Sequence, residues 1–395
     1  MVIVKYEGLY ENCQKSLQDF IDFWGKMVNI DCGSRYGSGI NQVVYLLAEK
    51  FQKLDPQEMQ IIPMENPAEG SHLLVTFKGK GKGRILAGAH LDTVFPKGTA
   101  AQRPFRIEGD WVKGPGCADC KSGVTMLLFA MKQLRKINFT DFDTITFLFN
   151  GDEEIGSYDS RKILQKLAPG YDCFLCCESG QEGDGIVQAR KGSNRLKLEV
   201  HGMASHAGSA PDKGHSALME ILCQIPRIKE LERPEIGTTI NFTLINGGTA
   251  DNIIPDYVCA VADVRIARLE EVNRIRNGLE KISAQPQTPG TAVKAKLLDG
   301  TPPFFLNEGT DRLVFLAQNI YAELGKKLKV VRAGGASDAN WAAFSGLIAI
   351  DGFGAVKGGK NHTPQECVSL SSVVPRMYLL SRMFMELGSG IPEKG

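Results

Sequence analysis

Six residues, Thr144-Ile-Thr-Phe-Leu-Phe149, all β-branched, aromatic or leucine, run into Asn150-Gly151 and then into three consecutive carboxylates, Asp152, Glu153 and Glu154. An apolar run this short and continuous fits a strand buried on both faces of a parallel sheet. Asn-Gly ends it with a turn, so the three acids sit in the loop at the strand's carboxyl end, where open α/β sheets place their ligands. Neighbouring carboxylates repel one another, and a metal ion or an Arg/Lys cluster would hold them together. The alternative is a solvated loop that is merely acidic, and only the rest of the chain decides between the two.

Other acids fall at the same structural position. Arg84-Ile-Leu-Ala-Gly-Ala-His90 reads as a buried strand that ends in a histidine, with Asp92 two residues on. His90 suits a metal ligand whose ring Asp92 orients, or else a turn-capping residue. Gly114-Pro-Gly-Cys-Ala-Asp119 sets a constrained loop before the helical pattern Val124–Leu134, and Asp119 can turn its two oxygens to two cations. Tyr171–Cys177 is a further buried strand, ending in Glu178, and Asn361-His362 offers a last candidate ligand. Surface acids fall anywhere, whereas these recur at strand ends, which moves the balance to a metal site. Cys117 and Cys120 form a Cys-x-x-Cys, but without a second such pair or a thioredoxin-like setting they read as two small residues packing a loop.

A chain of 395 residues is long for one core, so two domains are expected. Near residue 190 the pattern changes to period two, as in Arg195-Leu-Lys-Leu-Glu-Val-His201, an antiparallel strand with one wet face. Strands Thr238–Ile245, Tyr257–Ile266 and Ala292–Leu298, with helices Ser216–Ile225 and Glu270–Ile282, complete an α+β insert over residues 191–300. Residues 1–190 and 301–395 then make the other domain. His206 and Asn252 lie in glycine-rich loops of the insert, either as turn residues or as electrophilic groups aimed at a reacting carbonyl.

The net charge of +1 and pI near 7.5 give no electrostatic reason to expect nucleic acid or an anionic membrane. No stretch approaches the ~20 apolar residues that span a bilayer. Met1-Val-Ile-Val-Lys5 is too short an apolar run for a signal peptide, and cysteines on apolar runs suggest a reduced, cytoplasmic setting.

Two histidines with Asp119, Glu153, Glu154 and Glu178 make an imidazole and carboxylate set that suits zinc, with manganese or cobalt as substitutes. With Asp119 bridging, two ions would each keep one histidine and one further carboxylate, leaving one acid free to move a proton. A Gly-x-Ser-x-Gly elbow, a phosphate-binding glycine loop and His-Glu-x-x-His are all absent.

These residues, in this order, resemble the M20 metallopeptidases: Ala87-Gly-Ala-His90-Leu-Asp92, Gly114-Pro-Gly-Cys-Ala-Asp119, Asp152-Glu153-Glu154-Ile-Gly-Ser157, Glu178, Ser205-His206-Ala-Gly208, Asn252-Ile-Ile-Pro255, Asp263-Val-Arg265 and His362. Phe105–Asp110, Phe147–Asn150 and Gly334–Ala339 liken it most to glutamate carboxypeptidases of the carboxypeptidase G2 type. The resemblance implies an α/β, mixed-sheet zinc-hydrolase domain with an inserted α+β domain for dimerisation and lid closure. It implies two zinc ions per subunit, one on His90, Asp119 and Glu178, the other on Asp119, Glu154 and His362. Glu153 is then the general base and Asp92 the acid orienting His90. His206 and Asn252 stabilise the tetrahedral intermediate, His206 from the other subunit of a homodimer, and Arg265, Asn252 and Gly335 bind substrate. The expected reaction is cleavage of an amide beside a free carboxylate, releasing C-terminal glutamate or a related amino acid from a small peptide or acyl-amino-acid substrate. The alternatives are N-acyl-amino-acid deacylation, dipeptide hydrolysis, or a metal-binding protein without activity. Many relatives carry a second Asp after the bridging one, where this chain has Cys120, and the resemblance implies a cis peptide bond there.

Overall fold

Apolar runs buried on both faces make the centre of this molecule, and helices cover them. The structure, a computed structural model, describes residues 6–391; the apolar run Val2–Val4 lies outside them. The chain opens with α1 (Glu7–Lys15), α2 (Leu17–Val28) and α3 (Gly37–Gln52), then β1 (Glu58–Pro63), β2 (Ser71–Lys78) and β3 (Arg84–His90). A short α4 (Thr99–Gln102) and the hairpin β4 (Arg106–Glu108) and β5 (Trp111–Lys113) precede α5 (Ser122–Lys136) and β6 (Thr144–Asn150). α6 (Ser160–Leu167), β7 (Cys173–Cys176) and β8 (Gly185–Arg190) follow.

Next come β9 (Gly192–His201), β10 (Ser205–His206), α7 (Ala217–Lys229), β11 (Thr239–Gly247), β12 (Ile253–Ile254), β13 (Tyr257–Ile266), α8 (Glu270–Ser283) and β14 (Ala292–Thr301). The chain ends through α9 (Glu308–Ala322), β15 (Lys329–Ala333), α10 (Asp338–Phe344), β16 (Ile348–Asp351), β17 (Cys367–Ser369) and α11 (Val373–Leu387).

Two compact units result. The first holds residues 1–189, 306–332 and 337–395, the second residues 190–305 and 333–336. The first is built on a mixed eight-stranded sheet of order β1-β2-β6-β3-β7-β16-β8-β15. Its middle strands β6, β3, β7 and β16 are parallel neighbours, with Ala87 opposite Phe147 and His90 opposite Asn150. Every residue of β6 is buried. Phe147 packs against Phe51, Phe77, Phe149 and Phe384, with ring centroids 5.4–6.2 Å apart. Phe77 and Phe384 meet it edge to face, a contact that gains beyond simple burial. Because β3, β6 and β7 are adjacent and parallel, their carboxyl ends come out side by side.

The second unit is a four-stranded antiparallel sheet of order β11-β13-β9-β14, with α7 and α8 packed on it. The period-two pattern sets its register. Leu196 on β9 faces Ala262 on β13 and Leu297 on β14, all buried on one face. β10 and β12 form a separate two-stranded ribbon.

Several elements lie outside the patterns read from the sequence. The amino-terminal helices number three, because the chain breaks at Ser16, whose hydroxyl receives hydrogen bonds from Gln133 and Lys136 on α5. β1 and β15 were not expected as strands. Both are sheet edges with largely exposed side chains, so neither carries the continuous apolar run that marks a buried strand.

Candidate metal centre

The ends of β3, β6 and β7 each deliver a candidate donor: His90 at the last position of β3, Glu153 and Glu154 just after β6, Glu178 just after β7. Asp119 comes from the turn before α5. That turn approaches β7 closely because position 123 is glycine, where a Cβ would stand 1.7 Å from the Cys177 carbonyl oxygen. The Asp119–Cys120 peptide bond is cis.

Asp119 is the hub. Its Oδ1 lies 2.9 Å from His90 Nε2, and its Oδ2 lies 3.1 Å from His362 Nε2. His362 Nε2 is also 3.2 Å from Glu154 Oε1, and His90 Nε2 is 3.6 Å from Glu178 Oε1. The structure thus brings His90, Asp119, Glu154, Glu178 and His362 together, with Glu153 on the same turn as Glu154. Among the described residues, two groups place donor atoms within 4.8 Å of one another: His90 with Asp119 and Glu154, and His90 with Cys120 and Glu178.

Charge is crowded here. Burial alone would lower His90, yet Cys120, Glu178, Asp119 and Asp92 hold it well above the usual histidine range. Burial likewise opposes ionisation of Asp119, but hydrogen bonds from His362 and His90 drive it well below the usual carboxylate range. Burial, then the negative charges of Glu178, Asp338 and Glu154, push Glu153 well above it. His362 is raised to about 10 by its contacts with Asp119 and Glu154. Burial also pushes the Cys120 thiol up.

This donor set fits divalent cations. Glu154 Oε1 is buried and aimed at His362, but the two miss hydrogen-bond geometry and the oxygen has no hydrogen-bond partner. The raised imidazole of His362 is the positive group that faces it here, and a divalent ion shared with Asp119 could take that place.

Asp92 does more than the sequence suggests. His90 Nδ1 is 2.9 Å from the Asp92 main-chain carbonyl and 3.4 Å from its Oδ1. The carboxylate itself accepts from the backbone N–H groups of Glu153 and Glu154 and from the Ser34 hydroxyl. It therefore clamps the acidic turn while its carbonyl aligns the imidazole. Asp152 accepts from the backbone N–H groups of Asp159 and Ser160, a structural role at the start of α6.

Three supporting residues escape sequence reasoning. Buried Glu366 accepts from the N–H groups of Gly116, Ala118 and Asp119. Asn361 donates to Asp119 Oδ2 at 2.8 Å. Asp338 receives the Ser157 hydroxyl, and burial raises it to about 6. Proximity to His362 in sequence was the one available signal for Asn361 and Glu366.

His206, Asn252, Arg265 and Gly335 belong to the second unit. There β10 pairs with β12, and the Ala207 N–H donates to the Asn252 carbonyl, so His206 and Asn252 stand on one ribbon. His206 Nδ1 accepts from the N–H groups of Gly208 and Ser209, which holds the exposed ring. Arg265 makes a two-point ion pair with Asp263, and the Gly335 carbonyl accepts from Arg190.

Imidazole and carboxylate donors converging near the carboxyl ends of the parallel central strands of a mixed sheet, in a chain with a separate α+β unit, define a metal-dependent α/β hydrolase. The chain belongs to peptidase family M20/M25/M40, which it matches over residues 86–386. It is 35% identical over 367 residues to carboxypeptidase G2 of Pseudomonas sp. (strain RS-16), covering 92% of this chain and 88% of the relative. Aminopeptidase PepT of Bacillus cereus ATCC 10987 shares the fold with a TM-score of 0.79 at 23% identity, covering 94% of this chain and 98% of that one. So does Bacillus subtilis YXEP, a dinuclear metal binding peptidase of the M20 family, with a TM-score of 0.69 at 15% identity over 96% and 99% of the two chains.

Proposed function

We propose that this chain is a two-zinc carboxypeptidase that hydrolyses an amide beside a free carboxylate and releases C-terminal glutamate or a related amino acid. The observation that carries the reading is Asp119, whose two oxygens face two different imidazoles at 2.9 and 3.1 Å. His90, Asp119 and Glu178 would hold one ion, and Asp119, Glu154 and His362 the other. Bound there, the ions supply Lewis-acid polarisation of the carbonyl and make water acidic enough to attack at neutral pH.

Glu153 takes the proton of the attacking water and returns it to the leaving nitrogen. Its position beside Glu154 on the turn held by Asp92 supports this division of labour. Asp92 keeps the His90 ring fixed through Nδ1. His206 and Asn252 donate to the developing oxyanion, and Arg265, Asn252 and Gly335 hold the substrate, Arg265 pairing with its carboxylate. The 35% identity with carboxypeptidase G2 supports the carboxypeptidase branch.

The same reading makes the chain a homodimer through its second unit, with His206 serving the partner's centre. β11 is a sheet edge carrying exposed Leu244 and Ile245, and α7 exposes Met219 and Leu222. An unpaired edge beside exposed apolar residues supports such an interface. All ten cysteines are free thiols, which supports residence in the reducing cytoplasm.

The test is a panel of N-acyl-glutamates, other N-acyl amino acids and dipeptides with the zinc-loaded chain, beside Glu153→Gln. Wild type is expected to favour acyl-glutamates, and the variant to lose roughly 10²–10⁴-fold in rate while still binding zinc. Failure of wild type on the whole panel, or an unchanged rate in the variant, refutes the proposal.

A further inference from the structure

Oxygen and imidazole are the donors assigned above, yet a sulfur stands among them. One donor atom each from His90, Cys120 and Glu178 lies within 4.8 Å of the other two, and all three residues are buried. Cys120 is brought there by the turn that leads into α5. Its Sγ lies 3.5 Å from the carbonyl oxygen of Cys177, the residue directly before Glu178. A thiol contact of that length is weak, and the fully buried side chain otherwise packs in the core.

The other half of the Cys-x-x-Cys points elsewhere. Cys117 Sγ is 3.6 Å from the Val112 carbonyl oxygen and 3.8 Å from that of Glu366. The two cysteines therefore have different surroundings and do not act as a pair. Glu154 belongs to the neighbouring group with His90 and Asp119, and its Oε1 faces His362 Nε2 at 3.2 Å.

We infer that Cys120 supplies a thiolate sulfur to the ion held by His90 and Glu178, so that this position is a nitrogen, oxygen and sulfur site. The inference rests on the metal-dependent reading above. As the metal–sulfur bond forms, the S–H bond breaks and its proton leaves to solvent, so no electron changes hands and no oxidant is needed. A bound divalent cation deprotonates a coordinating thiol outright. Thiolate is a soft donor, so the site prefers zinc and cadmium over manganese and magnesium, which favour all-oxygen ligation. Asp119, facing both histidines, leaves the other position without sulfur, and the two ions become chemically distinct.

The full chain, stripped of metal and titrated with cobalt(II), reads this directly. A thiolate-to-cobalt charge-transfer absorption in the near ultraviolet is expected in wild type and in Cys117→Ser, and is expected to vanish in Cys120→Ser. In the zinc-loaded chain, X-ray absorption should show a sulfur shell at about 2.3 Å beside nitrogen and oxygen at about 2.0–2.1 Å. Cadmium affinity should fall in Cys120→Ser on the order of tenfold or more, the scale on which metal sites respond to loss of one supporting group, while manganese affinity stays. Wild-type spectra decide the matter even if the variant folds poorly. A wild-type chain that binds metal and hydrolyses substrate without the sulfur signal overturns the inference and leaves the proposed function standing. A signal that survives Cys120→Ser assigns another sulfur and also overturns it. A chain that binds no divalent cation defeats both.

Discussion

Glu366 ties the turn that carries Asp119 to the loop that carries His362, and removing its carboxylate should loosen both. Oε1 accepts from Ala118 N at 2.8 Å and Asp119 N at 3.1 Å, and Oε2 accepts from Gly116 N at 3.1 Å. The side chain is 2% exposed, so water does not compete for these bonds. Glu366→Ala leaves three buried N–H groups unpaired at about 1–3 kcal/mol each. The void it opens is polar enough to admit a water, which needs two to four polar partners and would satisfy part of the demand. The expected net loss is therefore about 3 kcal/mol, toward the low end of the simple sum. Glu366→Gln keeps one accepting oxygen but sets an amide N–H₂ against a backbone donor, and should lose about 1–2 kcal/mol. Melting of the metal-free chain by far-ultraviolet circular dichroism checks this, at roughly 2–4 °C per kcal/mol. Zinc affinity measured in parallel should drop about 10–100-fold in the alanine variant, as for other residues that support metal ligands. If Glu366→Ala melts with wild type and binds zinc equally well, the clamp is not holding Asp119 and the reasoning fails.

Acid should reveal Glu220 in the second unit. Burial opposes its ionisation, but hydrogen bonds from Gln224, Gln287 and Thr288 outweigh burial and lower its pKa. A folded-state pKa below the unfolded one gives stability that is present above the unfolded value and lost as pH falls through the folded value. Thermal midpoints from pH 6 down to about pH 3 should thus fall more steeply in wild type than in Glu220→Gln, with parallel curves as the contrary result. The double variant Leu222→Glu, Ile245→Lys charges the exposed faces of α7 and β11 and should run as a monomer on a sizing column; an unchanged dimer places the interface elsewhere. Chelation should lower the melting point of the zinc-loaded chain, because an ion held at a hundredfold excess over its dissociation constant stabilises by about 2.7 kcal/mol. Identical melts with and without chelator would remove the metal from the fold's energetics.

What the sequence made legible is local. β3, β6 and β7 announce themselves through short apolar runs, and the acids that follow them are neighbours in the chain as well as in space. Edge strands β1 and β15 lack that pattern because one of their sides meets no partner strand. The supports of the site are harder to read, since Glu366 meets Asp119 across 247 positions and Ser34 meets Asp92 across 58.

Partner type matters as much as distance, and here it separates two kinds of acid that look alike in one dimension. The carboxylates of Asp92, Asp152 and Glu366 receive backbone N–H groups. Those donors belong to every residue and leave no trace in the side-chain sequence. Asp119, Glu154 and Glu178 instead turn oxygens to imidazole nitrogens. Backbone-bonded acids have their lone pairs taken up in shaping turns, and a cation there would have to displace those bonds. Imidazole-facing acids can exchange a proton-mediated contact for a shared ion without disturbing the turn. That distinction separates the turn-forming Asp152 from Glu154, which faces His362, although nothing in the type or spacing of the run Asp152-Glu153-Glu154 tells the two apart.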